Sequence, residues 1–142
     1  MITFSGHLLV SPVLNERFLW QVIHPLSATW RSDPVVETLR VPAHFVTDFA
    51  SIPRPFWSLF SPSDGEYLLP AIFHDFLYES HTFPRWKADL FFREAMRQCR
   101  TPAWKCWLLY HTVHWFGTRA YNSGPGRGAL RRHVARKFLE IP

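Results

Sequence analysis

Prolines decide where this chain can and cannot be helical. Within residues 1–46, prolines separate short β-rich runs, as turns between antiparallel strands would; they are Pro12, Pro25, Pro34 and Pro42. Pro53 and Pro55, with one residue between them, forbid a regular helix in that part of the chain. Pro84 and Pro102 stand where the first residue of a helix is expected. We therefore expect strands first, then an irregular loop, then helices.

This order predicts an α+β fold, in which a small N-terminal antiparallel β-sheet of three or four strands is followed by three to four helices. The β-rich runs cover residues 2–4, 7–10, 18–23 and 35–41. The segments are 1–46 (β-rich), 47–63 (structured loop), 64–117 (helical) and 118–142 (basic). The expected helices cover about 65–79, 84–100, 102–117 and 129–139. The length of 142 residues fits one domain, 1–142.

Composition narrows the class of protein. Hydrophobic residues make up 47% of the chain and charged residues 19%, which excludes a disordered chain, a coiled coil and a collagen-like repeat. Aromatic residues reach 17%, and the formal net charge of +5 leaves nucleic acid, an anionic membrane surface or another acidic partner open. No apolar run has the roughly 20 residues of a transmembrane segment, and the N-terminus lacks a signal-peptide pattern.

The two cysteines, Cys99 and Cys106, leave two interpretations open. If one ends the second helix and the other lies in the third, a disulfide between them is geometrically allowed. Two reduced, buried thiols fit the same positions.

One polar pair, His74 and Asp75, stands inside an otherwise apolar helix. Tyr78 follows His74 by one turn and shares its face. Since a short turn joins the first two helices, they should pack antiparallel, which brings Asp89 to the level of His74. Asp89 would then accept a hydrogen bond from one ring nitrogen of His74 and leave the other nitrogen as a general base.

Structural interpretations stand beside this catalytic one. A satisfied core histidine, next to a capping or salt-bridged Asp75, accounts for His74 equally well. Arg85 and Arg93 lie one turn away from Asp89 on either side and could take it as an ion-pair partner.

The irregular loop carries three further candidates, Asp48, Ser51 and Arg54. Asp48 would supply an oxygen ligand to a metal ion held by Asp75. Ser51 is a candidate nucleophile, although its surroundings are not those of a nucleophile elbow. The alternative is a turn in which the Asp48 side chain bonds backbone amides near Ser51.

Histidines and basic residues mark the rest of the chain. His111 and His114 have a spacing compatible with a shared ligand, but core or surface histidines explain them as well.

The C-terminal part is basic through Arg119, Arg127, Arg131, Arg132, Arg136 and Lys137. It would contact phosphate, lipid headgroups or an acidic protein, or form a solvated face or a subunit contact. Nucleic acid is not specifically indicated, because no RNA-recognition signature is present.

Several motifs resemble a family of small tailed-phage and prophage proteins that is catalogued as a domain of unknown function. The matching stretches cover 41–54, 74–78 and 87–91, and the chain departs from the pattern at His44, where glycine is expected. This resemblance implies a phage origin: synthesis in the host cytoplasm, with assembly into the virion as one outcome. It implies no activity.

The pattern His74-Asp75-x-x-Tyr78, followed by Asp89 on an antiparallel helix, resembles the core of phospholipases A2. The resemblance implies His74 as the base, Asp89 as the carboxylate that orients it, Tyr78 as the support of Asp89, and Asp75 as a calcium ligand. The glycine-rich calcium loop of those enzymes is absent, so Asp48 would have to replace its ligands. Calcium is favoured over zinc.

The leading hypothesis is therefore a metal-dependent, phospholipase A2-like hydrolase of lipid esters, with a His–Asp dyad. The alternative is a structural virion component (tail, neck or baseplate) in which the same residues form a buried network without catalysis. An intracellular factor that binds a host protein or a nucleotide is a third. The expected partners are other phage structural proteins or membrane lipid, and an oligomer is compatible with the sequence.

Overall fold

The computed structural model describes residues 1–14, 19–49, 58 and 65–122. The described residues divide into two compact units, with the boundary between Asp48 and Phe49. The first unit contains strands and the second contains helices, so the predicted α+β class is confirmed. Two compact units can belong to one domain, and the single domain over 1–142 stays a prediction.

Six strands lie in the described part of the first unit, and they form two antiparallel sheets rather than the one small sheet that we predicted. The strands are β1 (Ile2–Ser5), β2 (Val10–Pro12), β3 (Trp20–Val22), β4 (Leu26–Ser32), β5 (Val35–Val41) and β6 (Val46–Thr47). One sheet has the order β1-β4-β5 and the other β2-β3-β6. Thr47, which we assigned to the loop, pairs with Trp20 of β3.

β4, the central strand of its sheet, is not among the strands that we predicted. Its buried residues alternate correctly at Leu26, Ala28 and Trp30, but small polar residues stand between them. A run that contains Ser and Ala has weak β-propensity, so the alternation was hidden. The neighbouring strand β5 was predicted at its observed bounds, and it buries Leu39 and Val41.

Three helices lie in the described part of the second unit: α1 (Gly65–Ser80), α2 (Arg85–Gln98) and α3 (Ala103–Asn122). The predicted starts are within one residue of the observed ones. Pro84 is the N-cap of α2 rather than its first helical residue. The helices pack around a core of fully buried side chains: Ile72, Phe73, Leu77, Phe91, Phe92, Met96 and Leu109.

Pro70 lies inside α1, where it removes the backbone N–H that would bond the carbonyl of Glu66. The hydroxyl of Thr101, which follows α2, donates a hydrogen bond of 3.0 Å to that carbonyl. Thr101 is buried, and this bond connects the start of α1 to the turn between α2 and α3. A side chain that is distant in sequence thus satisfies the acceptor that Pro70 leaves open.

The predicted end of α3 at Gly117 is wrong, since the helix continues to Asn122. Gly117 is needed for a different reason: a Cβ atom at this position would lie only 2.5 Å from Oη of Tyr78 on α1. Glycine therefore permits the close approach of α3 to the Tyr78 ring, and does not terminate the helix.

The predicted helix over 129–139 lies outside the described residues. In the ranges that the structure does describe, no helix combines the length and the apolar character that crossing a bilayer demands.

Candidate functional site

Asp89, on the buried face of α2, is the centre of a polar network between the helices. Its carboxylate is completely buried, and its Oδ1 atom accepts hydrogen bonds from His74 Nε2 at 3.0 Å and from the Tyr78 hydroxyl at 2.6 Å. Both donors lie on α1, one turn apart. The structure thus brings together the three residues that the sequence proposed as His, Asp and Tyr of one site.

The two nitrogens of His74 have different surroundings. Because a carboxylate can only accept, Nε2 carries the proton that bonds Asp89, which leaves a lone pair on Nδ1 in the neutral ring. Nδ1 is buried and has no hydrogen-bond partner among the described residues. The ring of Phe92 lies 4.7 Å from the imidazole and the ring of Tyr78 lies 4.1 Å from it, centroid to centroid. Packing and the Asp89 bond therefore fix both the tautomer and the orientation of His74.

Tyr78 is held as a proton donor. Burial raises the pKa of its hydroxyl well above the usual value, and the hydrogen bond to Asp89 and the charge of Asp89 raise it further. The nearby Arg85 acts in the opposite direction, with a smaller effect. Tyr78 consequently stays neutral at any physiological pH.

The second carboxylate oxygen of Asp89 faces residues that reach toward solvent. Arg85, on α2, places a guanidinium nitrogen 3.5 Å from Oδ2 and donates a 2.8 Å bond to the backbone carbonyl of His114. His114, on α3, has its Nδ1 atom 3.7 Å from the same oxygen. That distance is short enough for an ion pair and too long for a hydrogen bond. The side chain of His114 is 43% exposed, whereas His74 is 2% exposed.

His114 is the member of the network that sequence analysis did not place. Its spacing from His111 was noted, but a spacing along α3 carries no information about contacts with α2. The predicted pairing of Asp89 with Arg85 is present together with the contact to His74, so the two interpretations of Asp89 coexist. Arg93, the other suggested partner, lies over the ring of Tyr110 instead.

The structure describes both predicted metal ligands, Asp48 and Asp75, but does not show them at one site. Asp75 and Asp48 are both half-buried, and they belong to different units. Within the described residues, no group of three or more His, Cys, Asp or Glu side chains is arranged to hold a metal ion. Ser51 and Arg54 lie outside the described residues. The calcium site of the sequence analysis stays a prediction.

The end of α3 is tied to the turn between α1 and α2. The ring of His81 stacks on Tyr121 at 4.3 Å and its Nε2 donates to the Tyr121 carbonyl at 2.9 Å. The Tyr121 hydroxyl donates in turn to the carbonyl of Phe83 at 3.0 Å. His81 therefore has a structural role: it fixes α3 against Tyr78, whose ring also contacts Tyr121 edge-on.

Both cysteines are free thiols in the structure, which answers the question that their spacing left open. Burial raises the pKa of Cys99 and that of Cys106, and nearby Arg97 and Arg93 lower the latter in part. Thiols with a raised pKa are poor nucleophiles at neutral pH, so neither is a candidate for covalent catalysis.

Comparison with known proteins gives a family but no activity. Over 78 residues the chain is 33% identical to "Uncharacterized protein y4jT" of Sinorhizobium fredii (strain NBRC 101917 / NGR234). That alignment covers 54% of this chain and 23% of the relative, so the chain spans about a quarter of the relative's length. No solved structure matches the chain significantly. The model of the family described as "Protein of unknown function (DUF1353)" matches residues 20–113, a range that includes His74, Tyr78 and Asp89. Because this match extends over more than half of its length, the chain belongs to that family.

Proposed function

We propose that this chain is a hydrolase in which His74 is the general base and Asp89 the carboxylate that orients it, with lipid esters as the first substrate class. The observation that carries the proposal is the asymmetry of the His74 ring. One nitrogen is bonded to a buried carboxylate, and the other has no hydrogen-bond partner within the part of the chain that the structure describes.

The chemistry follows from that asymmetry. A water molecule placed at Nδ1 of His74 would lose a proton to this nitrogen as its oxygen adds to the ester carbonyl carbon. The imidazolium formed is stabilised by Asp89, and it returns the proton to the leaving alcohol oxygen when the ester bond breaks. Tyr78 and Arg85 hold the Asp89 carboxylate in place throughout the cycle.

Burial sets a condition on this proposal. His74 is almost inaccessible, so a substrate has to displace the groups that cover the ring before reaching Nδ1. A closed site of this kind excludes bulk water and strengthens the electrostatic contacts inside it.

A requirement of the proposed hydrolysis for calcium is tested by the chelator experiment below. Asp75 follows the base on α1, as the resemblance to phospholipases A2 implies, but the described residues supply no complete set of ligands.

The second candidate is a structural role in a phage virion. The observation in its favour is the same burial: a His–Asp–Tyr network that is sealed between helices would fix their register without any chemistry. Mass spectrometry of purified virions tests the location, since a virion component is retained in washed particles.

The decisive experiment is an assay of phospholipid ester hydrolysis by the wild-type chain, with calcium and with a chelator. We expect hydrolysis by the wild type and a loss of about 100-fold or more in His74→Ala, as for a removed general base. His74→Gln keeps most of the side-chain volume and shows whether the loss comes from chemistry or from a packing defect.

His24→Ala is the control, because His24 is exposed and belongs to the first unit, outside the Asp89 network. It should retain wild-type activity. Inactive wild-type protein in both buffers, or equal activity in wild type and His74→Gln, would rule out the proposal. A chelator effect without a His74 effect would place the reaction at a different site.

A further inference from the structure

An exposed stripe of aromatic side chains follows the outer face of α3. We define the aromatic stripe as Trp104, Trp107, His111 and Trp115, which recur at helical spacing along one line of the helix. Its three tryptophans are between 53% and 63% exposed. The buried residues of α3, Cys106, Leu109, Val113 and Gly117, lie on the opposite face. The stripe is therefore not part of the core of the helical unit.

The rings of the stripe support one another. His111 lies 4.6 Å from Trp107 and 5.0 Å from Trp115, centroid to centroid, so it bridges the two indoles. The eleven-residue step from Trp104 to Trp115 corresponds to about 16 Å along a helix. Large aromatic groups arranged in a straight line of that length suit a flat surface better than a pocket.

The charge beside the stripe has one sign. α3 contains Lys105 and Arg119 and no Asp or Glu. At 100° per residue, both basic residues lie on the same flank of the stripe, together with Phe116, which is itself largely exposed. The ammonium nitrogen of Lys105 lies 5.7 Å from the centroid of the Trp104 ring. The face thus combines indoles with positive charge.

We propose that the aromatic stripe of α3 docks onto an anionic lipid bilayer, with the helix lying parallel to the membrane surface. Indole rings favour the boundary between lipid headgroups and acyl chains, because they have an apolar body and a polar N–H. Lys105 and Arg119 would contact anionic headgroups at the same depth. The inference stands without the proposed hydrolase; if both hold, the stripe brings the enzyme to its substrate.

A second copy of the chain is a poorer occupant for this face. In an antiparallel two-fold dimer of this face, Lys105 of one copy would lie toward Arg119 of the other, without any acidic residue of α3 to offset the two charges. Anionic lipid, in contrast, complements both the indoles and the basic flank.

The test is cosedimentation of the full-length chain with vesicles of phosphatidylcholine, alone and mixed with phosphatidylglycerol. We expect binding to the mixed vesicles and a loss of about tenfold or more in Trp107→Ser/Trp115→Ser. Lys105→Gln/Arg119→Gln should weaken binding to the mixed vesicles by about fivefold per charge and leave binding to phosphatidylcholine unchanged.

Trp86→Ser is the matched control, because Trp86 on α2 is 62% exposed, compared with 61% for Trp107. It should bind as the wild type does. Absence of wild-type binding, or equal losses in Trp86→Ser and in the stripe variant, would overturn the proposal. So would binding that is lost in Arg131→Gln/Arg132→Gln but kept in the stripe variant. A wild-type dimer that becomes monomeric in the stripe variant, without vesicle binding, would assign the face to self-association.

Discussion

Two regions of the helical unit reverse the usual distribution of side chains. The interior between α1 and α2 holds a carboxylate, an imidazole and a phenol, whereas the outer face of α3 exposes three indoles. Burying a carboxylate costs its solvation, and leaving a large apolar side chain exposed forgoes the stabilisation that its burial would give. A region that departs from the ordinary distribution in either direction is a candidate for function. The two regions should therefore respond to substitution in opposite ways: the interior through stability and the outer face through binding.

The largest effect is expected at the centre of the interior network. Asp89→Ala leaves the donors of His74 and Tyr78 buried and unpaired, so the free energy of unfolding should fall by about 3–5 kcal/mol. Asp89→Asn retains an acceptor oxygen, so its free energy of unfolding should fall by less than that of Asp89→Ala. Urea denaturation followed by circular dichroism measures both. Equal losses below about 1 kcal/mol would show that the network adds little to stability, which would weaken the structural interpretation.

Gly117 tests how closely α3 has to approach that network. In Gly117→Ala the new Cβ overlaps with Oη of Tyr78, and overpacking of this kind should lower stability by about 1–3 kcal/mol. Tyr78→Phe removes the overlapping oxygen, so the alanine should be less damaging in that background. The coupling is measured by a double-mutant cycle on thermal or urea unfolding. Additive losses would mean that Tyr78 and Gly117 do not constrain each other.

Thr101 tests a buried polar contact that has no connection with the proposed chemistry. Thr101→Val keeps the shape and removes the hydroxyl, so the Glu66 carbonyl loses its donor, at a cost of about 1–2 kcal/mol in unfolding free energy. Pro70→Ala restores a backbone N–H that can bond this carbonyl, and Thr101→Val should then be nearly neutral. If the loss is as large in the Pro70→Ala background, the hydroxyl acts through a different contact.

The contact between His74 and Asp89 could be predicted because it depends only on local rules. A short turn makes α1 and α2 antiparallel, and counting residues from that turn sets the level at which the two side chains meet. The place of His114 could not be predicted, because it depends on the rotation of α3. That rotation is set by long-range fits such as Gly117 against Tyr78, which no spacing reveals. β4 was missed for a related reason: its alternation is readable only once its partners β1 and β5 are known.

Raising the pH above about 10 should lower the free energy of unfolding through Tyr78. Its pKa is raised on folding, so above the unfolded value of about 10 the unfolded chain releases a proton that the folded chain keeps. Stability is then lost as the pH rises, by up to about 1.4 kcal/mol per pH unit for this group. Because other groups also titrate there, the measured quantity is the stability gap between wild type and Tyr78→Phe. That gap should narrow between pH 9 and pH 11, and a constant gap would contradict the shift.

The smallest effect on stability is expected on the outer face. Trp107→Ser/Trp115→Ser removes two of the largest side chains of the chain, yet each change should alter the free energy of unfolding by no more than about 0.5 kcal/mol, because exposed side chains contribute little to folding. The same truncation of a core aromatic residue would cost about 3–5 kcal/mol. Urea denaturation of the double variant therefore measures how much these two indoles contribute to the free energy of unfolding. A loss of several kcal/mol would mean that they pack against another part of the protein and belong to the interior. An unchanged midpoint would mean that the two indoles add nothing to the stability of the isolated chain. A partner outside the chain, such as the lipid surface proposed above, would then explain why three indoles are exposed in line on one helix.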